Sequence, residues 1–149
     1  MPTTVSIIRS LFLGVLLTAL PASACPCELP VRPPSRAQLK ESVRNSYDDA
    51  TAVFLGEVTS ADRFNVHFII VTAWKGIEGT SAVLKTGAYV DGSDSIATST
   101  CEYRFDVGKT FLVYASGPVD ALTTDKCSRT AIVNKARHDI RVLNDLKHQ

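Results

Sequence analysis

The sequence predicts a mainly β domain: five short strands in a small, partly closed antiparallel barrel, preceded by a short helix and followed by a second one. Three observations carry this. Runs of β-forming residues recur between 51 and 115, helical periodicity is confined to either end, and residues 25–149 are too few for more than one core.

The leader comes first. Arg9 precedes the apolar run Leu11 to Leu20, a helix-breaking Pro21 follows, and Ala22-Ser23-Ala24 gives the small-any-small pattern that signal peptidase accepts. The run is too short for a bilayer core of about 30 Å, which needs roughly twenty apolar residues, so 1–24 reads as an export signal and 25–149 as the mature domain. The alternative is a lipoprotein signal that anchors the chain through Cys25; such signals usually carry Leu three residues before the cysteine, where Ala22 stands.

After "CPCELPVRPPS" the chain is extended, because the prolines cannot enter a helix. Ser35 and Gln38 form a capping-box pair, and Leu39, Val43 and Tyr47 then repeat at helical spacing, which predicts a helix over Arg36 to Ser46. "TAVFLGEVTS" (51–60) predicts the first strand. The second runs from Arg63 to Trp74, with period two, one wet face in its first half and apolar residues on both faces in its second. "KGIEG" turns the chain into a third strand, Ser81 to Thr86. Residues 87–100, polar and rich in turn formers, read as a long surface loop. "EYRF" and "TFLVYA" flank Asp106 to Lys109 as a hairpin. Ile132, Ala136, Ile140, Leu143 and Leu146 form one apolar stripe, which predicts the last helix. Five strands and two helices suit an OB-fold, whose closure protects the sheet edges.

Without Arg9 the mature chain carries 15 basic and 15 acidic residues. That balance argues against nucleic acid or an anionic membrane surface as partner. All four cysteines, Cys25, Cys27, Cys101 and Cys127, lie in the mature part, and in a small exported domain they read as disulfides. A Cys25–Cys27 bridge is too strained, which leaves two pairings open. Either ties the new N-terminus to the C-terminal half, and each bridge contributes about 4–5 kcal/mol in the chain-entropy model. A four-thiolate zinc site is the competing reading, disfavoured by export and by the absence of C-x2-C spacing.

The mature C-x-C, the helix after it, "AVFLGEV", "WKG", "CEYRFDVGKTFLVYA" and "CSRT" before the last helix together resemble the netrin-like module. The resemblance is to its single-domain bacterial members, relatives of the tissue inhibitors of metalloproteinases, and it runs over Cys25 to Leu146. It implies an OB barrel and pairs Cys25 with Cys101 and Cys27 with Cys127. It also implies that Cys25 presents its α-amino and carbonyl groups to the catalytic zinc of a partner protease. Pro26 would then enter the protease's specificity pocket, where the family commonly places a small hydroxyl residue. "CPCELP" carries one residue more before its proline than the family's C-x-C-x-P, and the family's third bridge has no counterpart here.

The chelation is chemically sound. A catalytic zinc keeps one position open for water, and an N-terminal amine with its own carbonyl closes a five-membered ring on it. The amine's reference pKa of about 7.7–8.0 leaves a useful neutral fraction. Glu28 and the loop Tyr89, Val90 and Asp91 are expected at the rim of such an interface. "YVDGSDS" lacks the ligand spacing of an EF-hand and reads as a turn. His67, His138 and His148 have no zinc-ligand spacing. The chain has no Gly-x-Ser-x-Gly elbow, P-loop or HExxH, so nothing nominates an enzyme or a cofactor of its own. The expected protein is a secreted or periplasmic inhibitor or, alternatively, a non-inhibitory binding or structural module of the cell envelope.

Overall fold

The computed structural model describes residues 25–27 and 32–148; residues 1–24, expected to be an export signal, and Glu28 lie outside them. Among the described residues no helix is long and apolar enough to cross a membrane. The described residues are mainly β, with two helices and a five-stranded antiparallel sheet in the order β3 (Ser81–Lys85), β2 (Asn65–Lys75), β1 (Ala52–Ala61), β6 (Thr110–Ala115) and β7 (Ala131–Ile132).

Helix α1 spans Arg36–Asp49 and starts as the capping box requires: Gln38 N–H donates to Ser35 Oγ, and Ser35 N–H to Gln38 Oε1. It runs three residues past the expected end. No basic residue stands in its last turn, and Lys75 supplies that charge from the sheet, its Nζ donating to the carbonyls of Tyr47 and Asp48 at 2.9 Å each. This explains part of "WKG". Trp74 Nε1 donates to Asn144 Oδ1 and Tyr47 Oη to the Trp74 carbonyl, so the tryptophan is a packing residue between sheet and helices.

Strands β1 (Ala52–Ala61), β2 (Asn65–Lys75) and β3 (Ser81–Lys85) form close to their expected bounds. Pairing of Leu55 with Thr72 and of Gly56 with Ile70 leaves Val71 as one extra residue in β2. That bulge switches the inward set from Val66, Phe68 and Ile70 to Ala73; Ile69 and Val71, on the outer face, are 56% and 59% exposed.

Residues 87–100, expected as a plain loop, contain a second small sheet, β4 (Ala88–Val90) with β5 (Ile96–Thr98). β6 spans Thr110–Ala115, but "EYRF" is not its hairpin partner. Glu102 makes a single bridge to Asp125, while Tyr103 and Phe105 turn inward into an aromatic cluster with Phe68 and Phe111. The turn at 106–109 pairs with β1 instead: Gly108 N–H donates to Val58 O, and Val58 N–H to Lys109 O. The fifth strand is β7, Ala131–Ile132, whose Ile132 is expected in the helical stripe; helix α2 (Arg137–Lys147) begins after it.

Both faces of the sheet carry buried side chains. Phe54, Val58, Phe68, Leu84, Phe111 and Val113 fill the inner side, and Val53, Leu112 and Tyr114 face α1 and α2. Among the described residues the ladders do not close into a barrel. After a 3-10 turn at Val119–Ala121, Thr123 makes isolated bridges to Lys85 at the end of β3 and to Ser116 after β6.

Gly76 has φ +69°, and a Cβ there would lie 2.1 Å from the Thr51 carbonyl oxygen. Gly76→Ala is expected to cost about 3 kcal/mol or more, read from the urea midpoint. Gly108→Ala, at φ +76° with no atom within 4 Å of the added Cβ, should cost about 1–2 kcal/mol. Equal losses would mean that the contact with Thr51 is not what demands glycine.

Candidate functional site

The site is built on two loops that hydrogen-bond to each other. Lys126 N–H donates to Cys101 O at 2.9 Å, Lys126 Nζ to Thr100 O at 3.0 Å, and Glu102 bridges Asp125. Each loop is shaped by a polar side chain reading its own backbone. Asp125 Oδ1 accepts from the Cys127 and Ser128 amides at 2.8 Å each, and Ser99 Oγ accepts from Cys101 N–H. Cys101 and Cys127 are thereby held side by side.

The N-terminal C-x-C is tied to this platform by Cys25–Cys101 and Cys27–Cys127, the pairing that the family resemblance implies. Between them Cys27 N–H donates to Cys25 O at 3.0 Å, a γ-turn centred on Pro26, whose ring presets the φ that the turn needs. Pro26 is exposed while both cysteines are partly buried. The C-x-C is thus held on both sides, with its middle residue at the surface.

Arg129 fixes the platform to the helices. Its Nε and Nη2 donate to Asp139 at 2.7 Å each, and Nη1 donates to Ser42 on α1 at 3.0 Å. Tyr114 Oη donates to the same carboxylate at 3.3 Å. Hydrogen bonding to Asp139 raises the guanidinium pKa further, and burial, then the Asp139 charge, holds the Tyr114 hydroxyl well above its ordinary range.

Of the other expected site residues, Tyr89, Val90 and Asp91 lie on the β4–β5 hairpin. Its root, not its tip, meets the platform: Ser99 N–H donates to Gly87 O, next to Cys101. Tyr89 and Val90 are exposed. The Asp91 carboxylate closes its own turn, accepting from Ser93 Oγ, Ser93 N–H and Ser95 N–H, and these donors lower its pKa in that order. Among the described residues, Cys25, Cys27 and Cys127 are the only group of potential metal ligands to converge, and their sulfurs are spent in disulfides. Asp125, Arg129 and Asp139 were not singled out from the sequence. "DKCS" carried a readable Asx-turn signal, but the Arg129–Asp139 pair has no local signature.

No protein-family model matches the chain, and no curated protein is significantly similar to it.

Asp139→Ala is expected to cost about 2–3 kcal/mol in urea unfolding, because it strands the Arg129 guanidinium. A fully buried pair would lose more, but the Arg129 side chain keeps 25% of its exposure. Replacing both partners by Met and Leu should recover most of the loss; no recovery would show that the pair is net stabilising. For Asp91, the lowered pKa makes its contribution to the hairpin tip complete above 3.8 and lost as pH falls through the folded value. The Ser93 and Ser95 amide shifts should therefore titrate with a midpoint below 3.8. A midpoint at or above that value refutes the assignment.

Proposed function

We propose that this chain is an exported protein-binding module of the netrin-like class, an OB barrel in family terms, that inhibits a zinc metalloprotease through its mature N-terminus. The carrying observation is the C-x-C pinned by two disulfides with Pro26 exposed between them. Cleavage after Ala24 frees the Cys25 amine. Amine and carbonyl then chelate the partner's zinc and displace the water nucleophile. Ordering the terminus in advance removes an entropic cost from binding. Pro26 enters the adjacent pocket by shape alone, since it has neither a hydroxyl nor an N–H. Glu28 and Tyr89 to Asp91 edge the contact.

One observation favours the second reading, a non-inhibitory envelope module, secreted or anchored by lipid on Cys25. The Cys25 carbonyl already accepts the Cys27 N–H, which leaves one lone pair for a metal. The test compares two purified forms against a panel of zinc metalloproteases: the chain starting at an unmodified Cys25, verified by intact mass, and the same chain with Met before Cys25. Inhibition by the first, reduced at least a hundredfold in the second, supports chelation. Equal inhibition by both sinks the mechanism, and no inhibition by either, or an acylated Cys25, leaves the envelope module.

A further inference from the structure

Cys25 Sγ lies 3.4 Å from Cys127 Sγ, to which it is not bonded. Both sulfurs are in bridges and carry no proton, so this is a contact between two disulfides and not a hydrogen bond. The sulfurs of Cys25, Cys27 and Cys127 all lie within 4.8 Å of one another, and that of Cys101 is bonded to Cys25. All four form one cluster, with Cys127 exposed.

We propose that the two bridges form a single thiol-exchange site that takes a small thiolate as co-reactant and interconverts the two possible pairings. The thiolate attacks Cys101 Sγ: a mixed disulfide forms there, the Cys25–Cys101 bond breaks, and Cys25 leaves as a thiolate. With that bond gone, rotation about Cα–Cβ aims Cys25 Sγ at its neighbour Cys127. The Cys25–Cys127 bond forms, the Cys27–Cys127 bond breaks, and Cys27 leaves as a thiolate. Cys27 then attacks Cys101, forms Cys27–Cys101 and releases the small thiolate. Two disulfides enter and two leave, so no oxidant or reductant is consumed.

Three features favour this exchange. Cys25 and Cys27 are joined by a γ-turn, and Cys101 and Cys127 by the paired loops, so a swap moves no strand or helix. The observed bridges span 76 and 100 residues, and the alternative pairing closes loops of nearly the same lengths, so chain entropy does not choose between them. Lys126, with Nζ against Thr100 O, places a cation between the two cysteine loops, while the Asp125 carboxylate is turned to the Cys127 and Ser128 amides. A cation there favours thiolate over thiol. The inference does not depend on protease inhibition.

The test uses Cys101→Ser, purified oxidised. Its one free thiol is alkylated in the folded protein and located by fragmentation between Cys25 and Cys27. Exchange predicts label on both residues within about tenfold of each other; label on Cys25 alone overturns it. If that variant does not fold, the unmutated protein is equilibrated with catalytic reduced glutathione without oxygen, and its bridges are mapped. Appearance of Cys25–Cys127 and Cys27–Cys101 at unchanged intact mass is the expected result. The native pairing alone at equilibrium refutes the proposal.

Discussion

The constraint on which the rest depends is that two covalent links from Cys25 and Cys27, on either side of Pro26, land on two loops already hydrogen-bonded to each other. Each bridge removes about 4–5 kcal/mol of chain entropy from the unfolded state, yet neither alone would fix an orientation. Two anchors one residue apart do, because they leave the segment between them no axis of free rotation. The Lys126–Cys101 backbone bond and the Asp125 turn set the spacing that both bridges need. Loosening this platform would therefore act on the terminus first and on the sheet second.

The same loop is coupled to the helical layer through Arg129, two residues after Cys127. Its guanidinium spans Asp139 on α2 and Ser42 on α1, and Tyr114 reaches the same carboxylate from β6. Around it the backbone of Tyr114 is satisfied by threonines: its N–H donates to Thr130 Oγ1 and its carbonyl accepts from Thr124 Oγ1. These polar groups would be costly if unpaired, so the network is satisfied as a unit or becomes a liability. Its geometry accounts for a charged pair under the helices of a domain whose net charge is otherwise unremarkable.

Much of this was legible where chemistry is local. The Ser35–Gln38 box, the β1 and β2 patterns, the third strand and the apolar stripe of α2 each follow from spacing and side-chain type within one segment. The errors fall where a distant partner decides. "EYRF" has strand propensity, but its aromatic rings gain more by entering the core beside Phe68 and Phe111 than by extending a ladder. Ile132 fits a helical stripe by count, yet it pairs with Phe111 as a strand. The second half of β2 is apolar on both faces, so its inward set is decided only by the bulge at Val71. At the site, the cysteines were readable as cross-links, whereas their proximity across the two bridges was not, because it depends on how two loops about 25 residues apart pair with each other.

The γ-turn at Pro26 decides how the terminus can act. A rigid C-x-C is of use to a metal-directed wedge only if both chelating atoms are free, and here the carbonyl is engaged by Cys27 N–H. Such a neutral hydrogen bond contributes about 0.5–1.5 kcal/mol net, so breaking it completely would cost roughly tenfold in affinity or less. For the proposed chelation that is small beside the cost of ordering a loose C-x-C, which the two bridges remove in advance. Pro26 therefore stiffens the terminus more than it blocks it. In the proposed chelation the Cys25 nitrogen is the atom on which binding would depend, because the carbonyl is already shared with Cys27 N–H.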